Sequence, residues 1–336
     1  MTRRAPNSEK GVALVTTLMI VAAMSAVAVG LSAAVLTSTN RAKSLDASTQ
    51  ADWLVHSAED YASLILTDVV TPLEGRFFAG MEGLGTPMTF EAEGGLITIL
   101  VTDASNCLNL NSLGGQSAAS RGREQAGAQA GTDRSPSDDL TALIKAVAGD
   151  TSSPDSLVAS ITDWIDSDQS PGLSGAEDNF YLSPGLNYRT SGQPLADTSE
   201  LLAVRYMSAD LLDALEPTIC AYPDNAQHPL NINTLTEDKA PLLSLALSEA
   251  IDADRARDII FQRPPGGWPT VEDFFALPEI SEIAPELRRE RLISVSSSYV
   301  TVRAAIEYRG TRRVMDYVYE LEGAAPVRRI YRERKG

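Results

Sequence analysis

Cysteine and histidine are almost absent: the chain holds two of each in 336 residues. A four-cysteine zinc site therefore cannot be built. Cys107, Cys220, His56 and His228 show none of the short ligand spacings of zinc modules. Aromatic residues make up only 6%, too few to line a sugar cleft. Base is scarce as well: 28 Lys and Arg stand against 45 Asp and Glu, a formal net charge of −17. Such a chain repels phosphate backbones, which argues against nucleic-acid binding. There is no Gly-x-Ser-x-Gly, Walker A run, His-Glu-x-x-His or Cys-x-x-Cys. No enzyme is expected. What is present is an ordinary globular balance, 43% hydrophobic and 22% charged.

The longest apolar run, Val12 to Leu36, carries no charge. As a helix it reaches roughly 37 Å, enough for a ~30 Å hydrocarbon layer. Arg3, Arg4 and Lys10 outweigh Glu9 before it, so the leader is expected in the cytoplasm and the rest outside. The run is too long for a signal-peptide core. A plain anchor remains a reading. Lys10-Gly11-Val12-Ala13-Leu14, a basic leader ending in Gly before the apolar run, resembles the processing site of type IV prepilins and type II secretion pseudopilins. The resemblance implies a prepilin peptidase cut between Gly11 and Val12 and methylation of the new terminus. Most such subunits carry Glu at the fifth mature position, where this chain has Thr16. A lone carboxylate in hydrocarbon needs a partner; a subunit without it suits a position with no subunit beyond it.

Leu54, Ala58, Tyr61 and Ile65 continue one helical face until Pro72 and Gly75 end it. His56 in this stem reads as structural. Ile97, Ile99 and Val101 alternate as a strand, and so do Val300, Val302, Ala304 and Ile306. After a turn near Arg309-Gly310, Val314 to Leu321 reads as another strand. Strands so far apart imply one sheet with a large insertion. Within it, Asp138–Val147, Ser156–Ile165, Thr198–Leu215, Thr236–Leu247 and Asp252–Phe261 read as helical. Residues 114–137 are rich in Gly, Ala, Ser and Gln and are expected to be disordered.

Leu108-Asn109-Leu110-Asn111-Ser112-Leu113 is echoed by Leu230-Asn231-Ile232-Asn233-Thr234-Leu235. Ser112 and Thr234 are suited to cap a following helix. The second copy leads into a pattern similar to helix-hairpin-helix, or SAM-like, units. DNA-binding hairpins of that kind use a Gly-rich turn to hold phosphate. The turn here, Leu247 to Asp252, has no Gly and places two acids in the way.

The densest acidic cluster runs from Asp163 to Asp178. Counted from Asp166, Asp168, Ser170, Gly172, Ser174 and Glu177 fall at the oxygen spacing of an EF-hand calcium loop. Pro171 stands where that loop needs Gly, so this is no true EF-hand. A solvated acidic loop is the competing reading. Cys107 and Cys220 each precede one copy of the echo. Outside the cytoplasm a bridge between them is favoured over two buried thiols. It would close a loop worth about 4.7 kcal/mol in the chain-entropy treatment. The basic tail, Arg328 to Lys335, reads as frayed surface, with contact to an acidic partner or to lipid head groups as the alternative.

Taken together, these features resemble the K-type minor pseudopilin of type II secretion systems. The Asp163-Trp164-Ile165-Asp166-x-Asp168 pattern with Gly175-Ala176-Glu177-Asp178 is part of the resemblance, which implies structural Ca²⁺ held by Asp166, Asp168, Glu177 and Asp178, with Asp163 beside them. It implies an α+β fold: a pilin-like long N-terminal helix on a small antiparallel sheet, with a large inserted all-α domain of two helix-hairpin-helix units. The expected organisation is a leader at 1–11, membrane stem at 12–36, periplasmic stem at 37–70, and a split αβ domain at 71–106 and 286–322. An inserted helical domain at 107–285 and a tail at 323–336 complete it. The implied role is at the tip of the pseudopilus, initiating or capping assembly for export across the outer membrane. The implied partners are I-type and J-type minor pseudopilins, in a bacterial inner membrane with the C-terminal domain in the periplasm. A type IV pilus minor pilin, or a membrane-anchored DNA-uptake receptor, is the alternative.

Overall fold

In the computed structural model, residues 9–73, 76–81, 83–92, 94–114, 134–149, 153–321 and 328–335 are described. Helix α1 spans Glu9–Leu73, 65 residues. It includes a helix apolar and long enough to cross a membrane, Gly11–Leu64, whose apolar window of mean hydropathy 2.4 is not buried at all within the protein. Over the second half of α1 one face sinks into a core: Ala47, Ala51, Leu54, Val55, Ala58, Ala62 and Leu66. Four of these seven are alanines, which let the helix axis lie close to the sheet. Leu54 and Ala58 belong to this face as expected. Tyr61 does not: it stands at the rim, 44% exposed, with its ring edge-on to Phe90 at 4.9 Å. The Ile65 side chain lies outside the described residues.

Strands β1 (Met88–Ala92) and β2 (Gly95–Asp103) form a hairpin across the stem. The chain then leaves the sheet. β3 (Leu108–Asn109) leads into helices α2 (Pro136–Ala148), α3 (Pro154–Ile165), α4 (Asp178–Tyr181) and α5 (Ala209–Leu215), and β4 (Ile219–Cys220) returns parallel to β3. The second half repeats the plan. β5 (Leu230–Asn231) precedes α6 (Ala240–Ala246), α7 (Ala253–Phe261), α8 (Val271–Phe275) and α9 (Pro278–Ser281), and β6 (Ile293–Ser294) pairs parallel with β5. Helix starts are set by local chemistry. Ser135 and Asp138 form a capping box for α2, as do Thr270 and Asp273 for α8, while Asp252 caps α7. The two halves share one apolar core and a buried bidentate pair, Arg289 with Asp139 at 2.7 Å twice. The expected disordered loop falls mostly on 115–133, outside the described residues.

The chain rejoins the sheet as β7 (Tyr299–Tyr308), turns, and runs back as β8 (Thr311–Glu320) and β9 (Arg328–Lys335). The sheet order is β1-β2-β7-β8-β9, antiparallel throughout. Ile97, Ile99 and Val101 face the stem together with Val302, Ala304 and Ile306, the alternation that the sequence carries. Arg309 and Gly310 both take positive φ, 46° and 80°, the twist a two-residue hairpin needs.

Two readings are corrected. The basic tail is not frayed: Arg328–Lys335 is the fifth strand, pairing Glu320 with Arg328 through Val314 with Lys335. Main-chain bonds to β8 hold it, and these leave no apolar alternation to read. Ser112 and Thr234 do not cap helices. Ser112 Oγ donates to the Asn109 carbonyl at 2.6 Å, closing the asparagine turn behind it. Thr234 Oγ1 instead donates to the Asp103 carboxylate and accepts from Asn106 Nδ2 at 3.0 Å, tying the second asparagine turn to the end of β2.

Candidate functional site

The Asn-x-Asn echo builds two equivalent joints. In each, the first asparagine accepts from the backbone N–H of the second: Asn109 from Asn111 at 3.3 Å, Asn231 from Asn233 at 2.9 Å. The second then clamps a distant main chain with both ends of its amide. Asn111 accepts from Leu195 N at 2.7 Å and donates to Leu195 O at 3.0 Å. Asn233 accepts from Trp268 N at 2.7 Å and donates to Trp268 O at 2.9 Å. Gly267, at φ +73°, lies against this second clamp, and a Cβ there would fall 2.6 Å from Asn233 Cγ. Only glycine suits both the angle and the approach. Asn231 also reaches the stem–sheet body, donating to Phe77 O at 3.1 Å.

Between β7 and the first joint sits the disulfide, Cys107 to Cys220, with Cα atoms 5.7 Å apart. Tyr222 stacks on Tyr299 at 4.1 Å beside it. His228, which shows no partner in the sequence, has Nε2 3.0 Å from both carboxylate oxygens of Asp224. The Tyr299 hydroxyl donates to Asp224 at 2.8 Å. Burial works to raise the Asp224 pKa. The Ala226 amide, the Tyr299 hydroxyl and His228 outweigh it, so the carboxyl titrates below its ordinary range.

The acidic loop follows α3. Carboxylate oxygens of Asp166, Asp168 and Glu177 lie within 4.8 Å of one another. Glu177 is 1% exposed, and its Oε1 is buried with no hydrogen-bond partner. Burial first, then the charges of Asp163 and Asp166, push its pKa up to about 7. Oxygens bound to one hard cation at 2.3–2.6 Å are separated by up to roughly 5 Å, so these three carboxylates fit such an ion. The other two candidates are engaged within the protein. Asp163 accepts from Gly172 N at 3.0 Å, and a Cβ on Gly175 would strike its carboxylate, so it is packed tightly against the loop backbone. Asp178 accepts from Thr190 N at 3.0 Å and Arg189 Nη1 at 2.9 Å. Thr190, whose hydroxyl lies 3.4 Å from Glu177 Oε2, belongs to the site too. It sits in an irregular segment with no motif to announce it.

At the other end of the chain, Gly11 and Val12 lie on the exposed start of α1. Thr16 Oγ1 donates to its own helix, to Val12 O at 3.1 Å and Ala13 O at 2.9 Å.

Comparison with known proteins agrees with this architecture. Family models described as type II secretion system protein K match residues 106–224 and 230–296, the two halves of the insert. A type II secretion system protein K of Pectobacterium carotovorum subsp. carotovorum is 30% identical, with 89% of each chain covered. The chain belongs to the type II secretion system protein K family. A protein K of Klebsiella pneumoniae is 29% identical over 89% of each chain. Among solved structures, the GspK-GspI-GspJ complex from enterotoxigenic Escherichia coli contains a chain that matches with a TM-score of 0.73 at 26% identity, covering 88% of this chain and 99% of that one. As a family member the protein is a minor pseudopilin of type II secretion, a structural part of the machine. The pattern of stem, split sheet and inserted helices is the pattern of that family.

Proposed function

We propose that this protein sits at the tip of the pseudopilus, where it initiates or caps assembly through contacts with I-type and J-type minor pseudopilins. The observation that carries this reading is Thr16. Its hydroxyl is spent on its own helix, so the stem offers no carboxylate to the amino terminus of a neighbouring subunit. The GspK-GspI-GspJ assembly of the structural relative supports the choice of partners. The wide insert above the stem supports a terminal position, because it would overhang any subunit placed there.

In the same reading, prepilin peptidase removes 1–11 after Gly11 and methylates Val12. The stem then rests in the bacterial inner membrane with the head in the periplasm. Asp166, Asp168 and Glu177 hold a structural Ca²⁺, with Asp163 and Asp178 bracing the loop around it. The ion would offset three mutually repelling carboxylates and satisfy the orphaned Glu177 oxygen; its job is to fix the loop, not to react. The paired short helices are helix-hairpin-helix units that have kept the fold without nucleic-acid binding. Glu249 stands in the turn where a phosphate would approach, bonded to Arg134 at 2.5 Å.

The test is co-purification of the full-length chain with its I-type and J-type partners from detergent-solubilised membranes. A stable ternary complex is expected, and Thr16→Glu should leave it intact, because the tip position uses no carboxylate at this site. Failure to form the complex would remove the tip reading.

A further inference from the structure

Several exposed basic residues stand at one end of the stem–sheet body. Strand β8 climbs the stem in step with it. Arg309 meets Asp46 at 3.5 Å; Arg313 meets Ser48 at 2.6 Å and Asp52 at 3.1 Å; Tyr317 donates to Val55 O at 3.2 Å; Tyr319 meets Ser63 at 3.3 Å. The β7–β8 turn is therefore the end nearest the apolar half of α1. The antiparallel register of β9 brings Arg334 and Lys335 opposite Met315 and Val314, in this same half of the sheet. Arg41 and Lys43 stand on the stretch of stem between, both exposed. The insert leaves from the opposite end, after Asp103.

The acids at this end are largely matched. Asp46 is taken by Arg309, Asp52 by Arg313 and Glu307 by Arg312. Among the described side chains, Arg41 and Lys43 stand against Glu91, which leaves an excess of positive charge at this end of a protein that is otherwise strongly acidic. Arg309 and Arg312 are 66% and 69% exposed and line a cleft of about 610 Å³ together with Gly94, Gly95, Gly310 and the acids Glu91 and Glu307. From Leu36 to Asp46 the helix rises about 15 Å. Arg41 and Lys43 thus lie within about one Debye length of the lipid surface, and the turn lies just beyond.

We propose that this basic collar docks on the phosphodiester headgroups of anionic phospholipids in the membrane that the stem crosses. The inference rests on the membrane reading of the stem given above. Attraction at the collar and repulsion of the acidic insert act in the same direction. Together they hold the head upright on the bilayer, with the insert turned away from it, before the subunit leaves for the pseudopilus.

The test uses the full-length chain in vesicles of phosphatidylglycerol and in vesicles of phosphatidylcholine. Amide hydrogen exchange is read at Arg309 to Arg313, and alkaline carbonate extraction reports separately whether the stem is inserted. Exchange about tenfold slower in phosphatidylglycerol is expected, abolished by high salt and by the double substitution Arg309→Gln/Arg312→Gln. Equal exchange in both lipids, with the stem resistant to carbonate, would overturn the collar and leave the anchor standing. Extraction by carbonate would overturn the membrane reading and the collar with it.

Discussion

Asn233→Ala should be among the most damaging single changes outside the apolar core. Asn233 is 5% exposed and its amide holds both polar groups of the Trp268 backbone, at 2.7 and 2.9 Å. Alanine would leave that N–H and that C=O buried without partners, each costing about 1–3 kcal/mol. Collapse of the loop onto the smaller side chain recovers part of this, giving a net loss of about 3 kcal/mol. For a body of this size that is roughly 6–12 °C in Tm. Thermal unfolding of the full chain in detergent, followed by tryptophan fluorescence, measures it. Asn233→Asp separates the clamp from simple packing. The carboxylate keeps the shape and accepts from Trp268 N, but it has no proton for Trp268 O and buries a charge. It should be at least as damaging as alanine at neutral pH. It should recover as acid protonates the side chain and restores a donor. A loss below about 0.5 kcal/mol for Asn233→Ala, or an Asn233→Asp protein unaffected by pH, would refute the reasoning.

Removing divalent cations with EDTA should lower Tm, by up to about 2.7 kcal/mol of stability if Ca²⁺ was at a hundred times its Kd; Glu177→Gln should be insensitive to both metal and chelator. Cys107→Ser/Cys220→Ser should destabilise the head by at most about 4.7 kcal/mol, read by urea unfolding, because the bridge closes a loop with a sequence separation of 113. Asp224 has a lowered pKa when folded, so its contribution is present above the ordinary carboxylate range and is lost as pH falls through the folded value. The stability gap between wild type and Asp224→Asn should therefore narrow below about pH 4, and a gap that widens in acid would reverse the assignment.

Much of this architecture was legible because it is written in periodicity. The alternation of Ile97, Ile99 and Val101 and of Val302, Ala304 and Ile306 reports a sheet with one buried face, and the structure joins them as neighbouring strands. The stem was legible as a helix, with Leu54 and Ala58 on its buried face as expected, but Tyr61 falls at the rim because the alanines Ala47, Ala51 and Ala62 carry much of the contact with the sheet. β9 was illegible: a strand of mostly charged residues, held by main-chain pairing, leaves no hydrophobic trace. Sequence pattern located the acidic loop, yet only the fold separates the three converging carboxylates from Asp163 and Asp178. The echo of Leu-Asn-x-Asn was visible, but its purpose was not. Each second asparagine grips a segment far along the chain, Leu195 or Trp268, and nothing local predicts that partner.

The split sheet also dictates an order of events during synthesis. Asp103 of β2 pairs with Val300 of β7, which the ribosome adds about 200 residues later. At usual elongation rates of about 5–20 residues per second, that is a delay on the order of 10–40 s. Throughout it, one edge of β2 stands open, a template for any passing strand. The insert, complete by Ser294, can assemble its own core and bring the two ends of the gap together before β7 emerges. The inserted body therefore does for this protein what a short turn does for a hairpin: it delivers the late strand to the waiting one and shortens the time in which a newborn chain can aggregate.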